Sequence, residues 1–141
     1  MEYLHRQLTE RIIGVYHEVY STLGRGFFER IYHRAMLIAL ADAGLAATAD
    51  ARFKVSFRGH SLGEFVPDVV VEDRVLLEIK ATGALQPHDE AQLLNYLRAS
   101  PIEVGLLLNF GEKREIKRRV LTADKKIAGG LDYPVSADPS A

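Results

Sequence analysis

Apolar residues recur at helical intervals near the start of the chain: Leu8, Ile12, Val15, Val19 and Leu23 are three or four apart, with Arg, Glu and His between them. That period predicts an amphipathic helix over residues 6–22, ended by Gly24-Arg25-Gly26. A second helix is expected from about Phe27 to Ala43, with Phe28, Ile31, Tyr32, Ala35, Ile38 and Ala39 on its inner side and Gly44 as its stop. The rhythm then changes to strands. Phe53, Val55 and Phe57 alternate with polar or small residues, and His60-Ser61-Leu62-Gly63 reads as a turn leading into the next strand. Two dense apolar runs follow, Phe65 to Val71 and Val75 to Lys80, parted by Glu72-Asp73; they predict neighbouring central strands in a hairpin, with Pro67 confined to the early part of its strand. Pro87 opens a helix running to about Ala99, with Ala91, Leu93, Leu94, Tyr96 and Leu97 giving it apolar faces. Val104 to Leu108 is a further buried strand, and Ile116 to Leu121 a last, charged edge strand. The resulting order, α-α-β-β-β-α-β-β, predicts an α/β fold with a central mixed sheet flanked by helices. It occupies residues 1–128, and residues 129–141 form a loosely attached tail.

A chain of 141 residues suits one domain, and 48% hydrophobic with 26% charged residues is a globular composition. No apolar run reaches the ~18 residues of a membrane span. No secretory signal is visible at the N-terminus and cysteine is absent, so a cytoplasmic protein without disulfides, thiolate metal sites or membrane association is expected. The net charge of −1 argues at first against a nucleic-acid partner. Its distribution softens that objection, because residues 113–126 carry seven basic side chains against two acidic ones, a local net of +5.

Two acids stand where charge is expensive. Asp68 interrupts Val66–Val71, and Glu78 interrupts Val75–Ile79. Strand alternation puts Glu78 and Lys80 on one face, and Asp68 on a face with Val66 and Val70. If the strands pair across the Glu72-Asp73-Arg74 turn, the two acids fall at the same end of the hairpin and can meet. Paired carboxylates raise each other's pKa unless a cation neutralises them, and Mg²⁺ takes such oxygen ligands. A solvated Glu78–Lys80 pair worth ~0–1 kcal/mol is the plainer alternative.

Three motifs extend the picture. Pro67-Asp68, nine residues, then Glu78-Ile79-Lys80 resembles the signature of the PD-(D/E)XK nuclease superfamily. Gln92-Leu93-Leu94-Asn95-Tyr96 resembles the Gln-x-x-x-Tyr helix motif of its exonuclease branch, and Gly26-Phe27-Phe28-Glu29-Arg30-Ile31-Tyr32 resembles the motif of the small GxxExxY family within it. The resemblance implies a restriction-endonuclease-like core and a Mg²⁺-dependent nuclease, with Mn²⁺ able to substitute and DNA as the expected polymer. It implies Asp68, Glu78, the Ile79 carbonyl and Glu29 as metal ligands, and Asp68, Glu78, Lys80 and Gln92 as the catalytic set. Gln92, Tyr96, Lys117, Arg118 and Arg119 are the expected nucleic-acid contacts. The position three before Gln92, where the family often has His, is Asp89; neither it nor the flanking His88 is given a role, and His5, His17, His33 and His60 are read as surface or helix-flank residues. A nucleic-acid-binding or accessory module, a Mg²⁺-dependent small-molecule phosphohydrolase, and a homodimer or subunit of a larger assembly remain as alternatives.

Overall fold

A computed structural model describes residues 4–127. The expected tail at 129–141 and the boundary at 128 lie outside the described residues. The chain opens with α1 (Arg6–Leu23) and α2 (Glu29–Asp42), passes through β1 (Ala47–Thr48), β2 (Phe53–Phe57), β3 (His60–Phe65), β4 (Val69–Val71) and β5 (Val75–Lys80), crosses by α3 (Pro87–Arg98), and ends in β6 (Val104–Asn109), β7 (Glu115–Val120) and α4 (Ala123–Ile127). The central sheet has the order β1-β4-β5-β6-β7, and β2 and β3 pair separately. Only β5 and β6 are parallel; the β1–β4, β4–β5 and β6–β7 pairs are antiparallel. This is the expected mixed sheet with helices on its faces.

Each sheet face buries its own layer. Val69, Val71, Val75, Leu77, Ile79, Val104, Leu106 and Leu108 pack against Ile12, Val15, Tyr16 and Val19 of α1 and Tyr32, Met36 and Leu40 of α2. The alternate residues Val70, Leu76 and Leu107 pack against Leu93 and Leu97 of α3 and Phe53 of β2. Full burial of one such side chain is worth about 1.5–3 kcal/mol, so the sheet is held from both sides. Among the described residues no helix is long and apolar enough to cross a membrane.

Four expectations change. The run Phe65–Val71 is two strands rather than one: Phe65 ends β3, Asp68 sits at a bend, and β4 begins at Val69. Pro67 lacks the N–H that a continuing ladder would need. Second, the His60–Gly63 segment is itself strand, so β2–β3 forms a projecting hairpin, and β1 and α4 are additional elements. Third, the inner side of α2 is Tyr32, Met36 and Leu40, whereas Phe28, Ile31 and Ile38 face solvent. Residues 35–41 of this helix are apolar without interruption, so periodicity alone could not fix its phase there. Fourth, Lys126 is buried, its Nζ donating to the carbonyls of Ser100 (2.8 Å) and Ile102. Burial lowers its pKa to about 8, and part of the basic stretch is therefore interior.

Candidate active site

The β4–β5 register pairs Val69 with Leu77, which sets Asp68 opposite Glu78 just past the last ladder pair. The backbone amide of Asp68 donates to Glu78 Oε2 at 2.8 Å, and the amide of Ile79 donates to Asp68 Oδ2 at 2.7 Å. Each carboxylate thus latches the other strand's backbone, satisfying amides that the end of β4 leaves without a ladder partner. Glu78 is 5% exposed. Burial first, and then the Asp68 charge, push its carboxyl up to about 8, against the opposing effects of the Asp68 amide and Lys80. The bend is fixed from α2 as well, because His33 Nε2 donates to the Asp68 carbonyl at 2.7 Å. A carbonyl only accepts, so that nitrogen carries the proton.

Glu29 begins α2, in the same electrostatic field. Its carboxyl is raised by burial, with the charges of Asp68 and Asp89 adding to the effect and Lys80 opposing it. The residues around it explain the local spacing. Gly26 has φ 113°, a conformation that favours glycine, and lets the chain turn into the helix. Tyr32 is fully buried, stacks on Phe110 with centroids 4.6 Å apart, donates its hydroxyl proton to Gly24 O (2.6 Å) and accepts from the Phe27 amide (3.2 Å). One side chain therefore ties down the loop that presents Glu29.

Lys80 lies two residues beyond Glu78, so strand alternation sends it to the same side. Its Nζ is 4.0 Å from Asp89 Oδ1. Asp89 is itself buried, and its other oxygen accepts the Gln86 amide at 2.9 Å, capping the start of α3. One turn further, Gln92 Nε2 donates to the Tyr96 hydroxyl at 2.9 Å. The Tyr96 ring stacks on Phe65 at 4.2 Å, and Phe65 stacks on Phe53 at 5.3 Å. Burial, then the charges of Glu78 and Asp68, raise the pKa of the Tyr96 hydroxyl, which places it in the acids' field.

The fold thus brings Glu29, Asp68, Glu78, Ile79 and Lys80 to one end of the β4–β5–β6 sheet, with Gln92 and Tyr96 beside them on α3. It does not gather the three basic residues of β7. Arg118 is opposite Leu106 and donates to the Leu4 carbonyl, while Arg119 pairs with Glu90 on α3 and Lys117 is opposite Leu107. Arg118 therefore belongs to the α1 face and the other two to the α3 face. Two site residues were not found from the sequence: His33, expected at the surface or a helix flank, is half-buried against the Asp68 carbonyl, and Asp89 was given no role. His33 stands four after Glu29 on the same helix face, which was a usable signal. Asp89 follows Pro87 in a first-turn capping position, which was another.

Among the described residues no three His, Asp or Glu side chains are gathered closely enough to hold a metal ion, so the expected Glu29–Asp68–Glu78 set is not a preformed cage. The donor chemistry nevertheless fits Mg²⁺, which needs only one or two carboxylates and keeps several waters. Asp68 and Glu78 each use one oxygen on a backbone amide and keep a second.

A family model of the PD-(D/E)XK nuclease superfamily matches residues 6–119, a span that contains every one of these site residues. No curated protein and no solved structure matches the chain. With an α/β sheet of restriction-endonuclease type and a model covering most of its length, the chain belongs to the PD-(D/E)XK nuclease superfamily, whose membership implies a metal-dependent, nuclease-like function.

Proposed function

We propose that this chain is a Mg²⁺-dependent nuclease of the GxxExxY kind, hydrolysing phosphodiester bonds in DNA. Asp68, Glu78 and the Ile79 carbonyl would hold the ion, with Glu29 completing the set from α2. The observation that carries the reading is the reciprocal Asp68–Glu78 latch, two acids drawn together in an apolar hairpin with Lys80 on the same side. When bound, Mg²⁺ supplies Lewis acidity and a water of lowered pKa, and Mn²⁺ serves in its place. Lys80 presents a fixed positive charge to the phosphate oxygens, where a water-poor site makes it worth more than in bulk. Asp89 tethers that ammonium, and His33 holds the bend on which Asp68 sits. Gln92 and Tyr96 brace the α3 side and touch the nucleic-acid backbone, as does Lys117.

The test is cleavage of supercoiled plasmid and of labelled oligonucleotides with Mg²⁺ or Mn²⁺. Wild type should cut, and Asp68→Ala and Lys80→Ala should each lose about 10²–10³-fold in rate with unchanged circular dichroism. Failure of folded wild type to cut any polymer with either metal refutes the reading. A second reading, an accessory module that binds nucleic acid without cutting it or leaves substrate delivery to another subunit, is favoured by the lack of a preformed three-ligand cage. Binding without turnover would select it, and phosphate release from nucleotides alone would select a small-molecule phosphohydrolase.

A further inference from the structure

We propose that Phe28, backed by Phe27, is a stacking platform for unpaired bases, so that the site takes single-stranded nucleic acid. The inference rests on the nuclease reading for the polymer and adds its strandedness.

Phe28 is 75% exposed and Phe27 50% exposed, immediately before Glu29. Water contact over so much aromatic surface is unfavourable, and nothing in the helix requires it: Phe28 occupies the N-cap of α2 without making any side-chain cap bond. The Phe27 ring is nevertheless held in place. Phe27 packs edge-on against buried Tyr32 at 6.1 Å, and the same Tyr32 hydroxyl accepts the Phe27 amide. The extended backbone at Phe28 (φ −68°, ψ 152°) then leads straight into the helix that carries Glu29. An outward aromatic immediately before Glu29, set at the start of a helix, offers its face to a flat ligand.

The surrounding charge suits a polyanion. The Arg30 guanidinium lies 5.7 Å from the Phe28 ring centroid, and Arg34 follows one turn later on the exposed side of α2. Arg25, which makes a long 3.8 Å pair with Glu112, lines the same cleft as Phe27. Between Phe27 and the Ala81-Thr82-Gly83 segment that follows Lys80 runs an open cleft of about 610 Å³. That is within the range of about 300–1,000 Å³ usual for ligand sites, and its lining residues Phe27 and Ala81 stand two residues before Glu29 and one after Lys80. Phe28 follows Phe27 directly in the chain, and the two α2 arginines come soon after. Only an unpaired base can offer its face to Phe28, since in a duplex both faces are covered by neighbouring bases. Stacking of this kind is indifferent to base identity, because every base has a π-face.

The experiment measures fluorescence anisotropy of a fluorescein-labelled oligonucleotide of mixed sequence, single-stranded or annealed to its complement, with Ca²⁺ replacing Mg²⁺ to hold the substrate uncut. Wild type should prefer the single strand. Phe28→Ala should weaken single-strand binding about tenfold and duplex binding less than about twofold, and Phe28→Trp should restore it. Phe28 is exposed, so both variants should keep the wild-type melting temperature. Equal losses on both substrates, no loss on either, or a duplex preference in wild type would overturn the proposal. Single-strand binding that depends on Phe28, without cleavage in Mg²⁺, would uphold the platform while refuting the nuclease. Cleavage that is indifferent to Phe28 and to strandedness would do the reverse.

Discussion

Glu78 shows how one side chain ties the site to the stability of the fold. Burial and the Asp68 charge push its carboxyl up to about 8, against 4.5 for an ordinary glutamate. The folded chain therefore holds this proton more firmly than the unfolded chain does. The resulting stabilisation is complete below pH 4.5 and is lost as pH rises through 8. In EDTA the melting temperature of wild type should fall across that window, and Glu78→Gln, which cannot titrate, should remove this part of the fall. Calorimetry over a pH series checks it, and parallel slopes in the two proteins would contradict it. Asp68, Glu78 and Lys80 were legible in the sequence because charges inside Val- and Leu-rich runs need a reason. His33 and Asp89 were not read, because their roles rest on contacts between elements: an imidazole on a carbonyl of another segment, and a capping acid that also faces a lysine.

At the scale of elements, the β4–β5 hairpin that carries the acids closes through an unusual turn. Glu72 (φ 53°) and Asp73 (φ 55°) are both left-handed, a conformation that disfavours side chains. Glu72 is compensated, since its amide donates to Ala46 O at 2.8 Å and its carboxylate accepts the Ala46 amide at 2.6 Å. Asp73→Gly should therefore stabilise the protein by about 0.5–1 kcal/mol, and leave activity unchanged because the turn is at the opposite end of β5 from Lys80. Urea midpoints decide it, and a lower midpoint would contradict the expectation. The hairpin itself was predictable from two β-branched runs and a turn. The break at Asp68 was harder to see: Pro67 flagged it, but the valines on either side, Val66 and Val69 to Val71, hid the change of sheet. The solvent face of α2 was invisible to periodicity for the same reason, an excess of apolar residues.

Across the whole molecule, the site sits where elements from both layers meet, with Glu29 and His33 from the α1–α2 side and Asp89, Gln92 and Tyr96 from α3. An ion held there by Glu29, Asp68 and Glu78 would join α2 to the β4–β5 hairpin, and an ion that binds only the folded state must stabilise it. Mg²⁺ at a hundred times its dissociation constant should add about 2.7 kcal/mol. Thermal melts with and without Mg²⁺ should show the rise in wild type and none in Asp68→Asn; an equal rise in both would place the ion elsewhere. Global charge was the least readable property. The basic stretch near the C-terminus dissolves into a buried lysine, a split β7 and an ion pair on α3.

The hydrogen bonds that cross between Asp68 and the Glu78-Ile79 segment also constrain how this hairpin can change. Each acid is held by the main chain of the opposite strand, Glu78 by the Asp68 amide and Asp68 by the Ile79 amide, so a shift of either strand is felt at both. Drift at either position must be met by simultaneous drift on the facing strand, and a designer wishing to retune one acid inherits the task of rebuilding the pair.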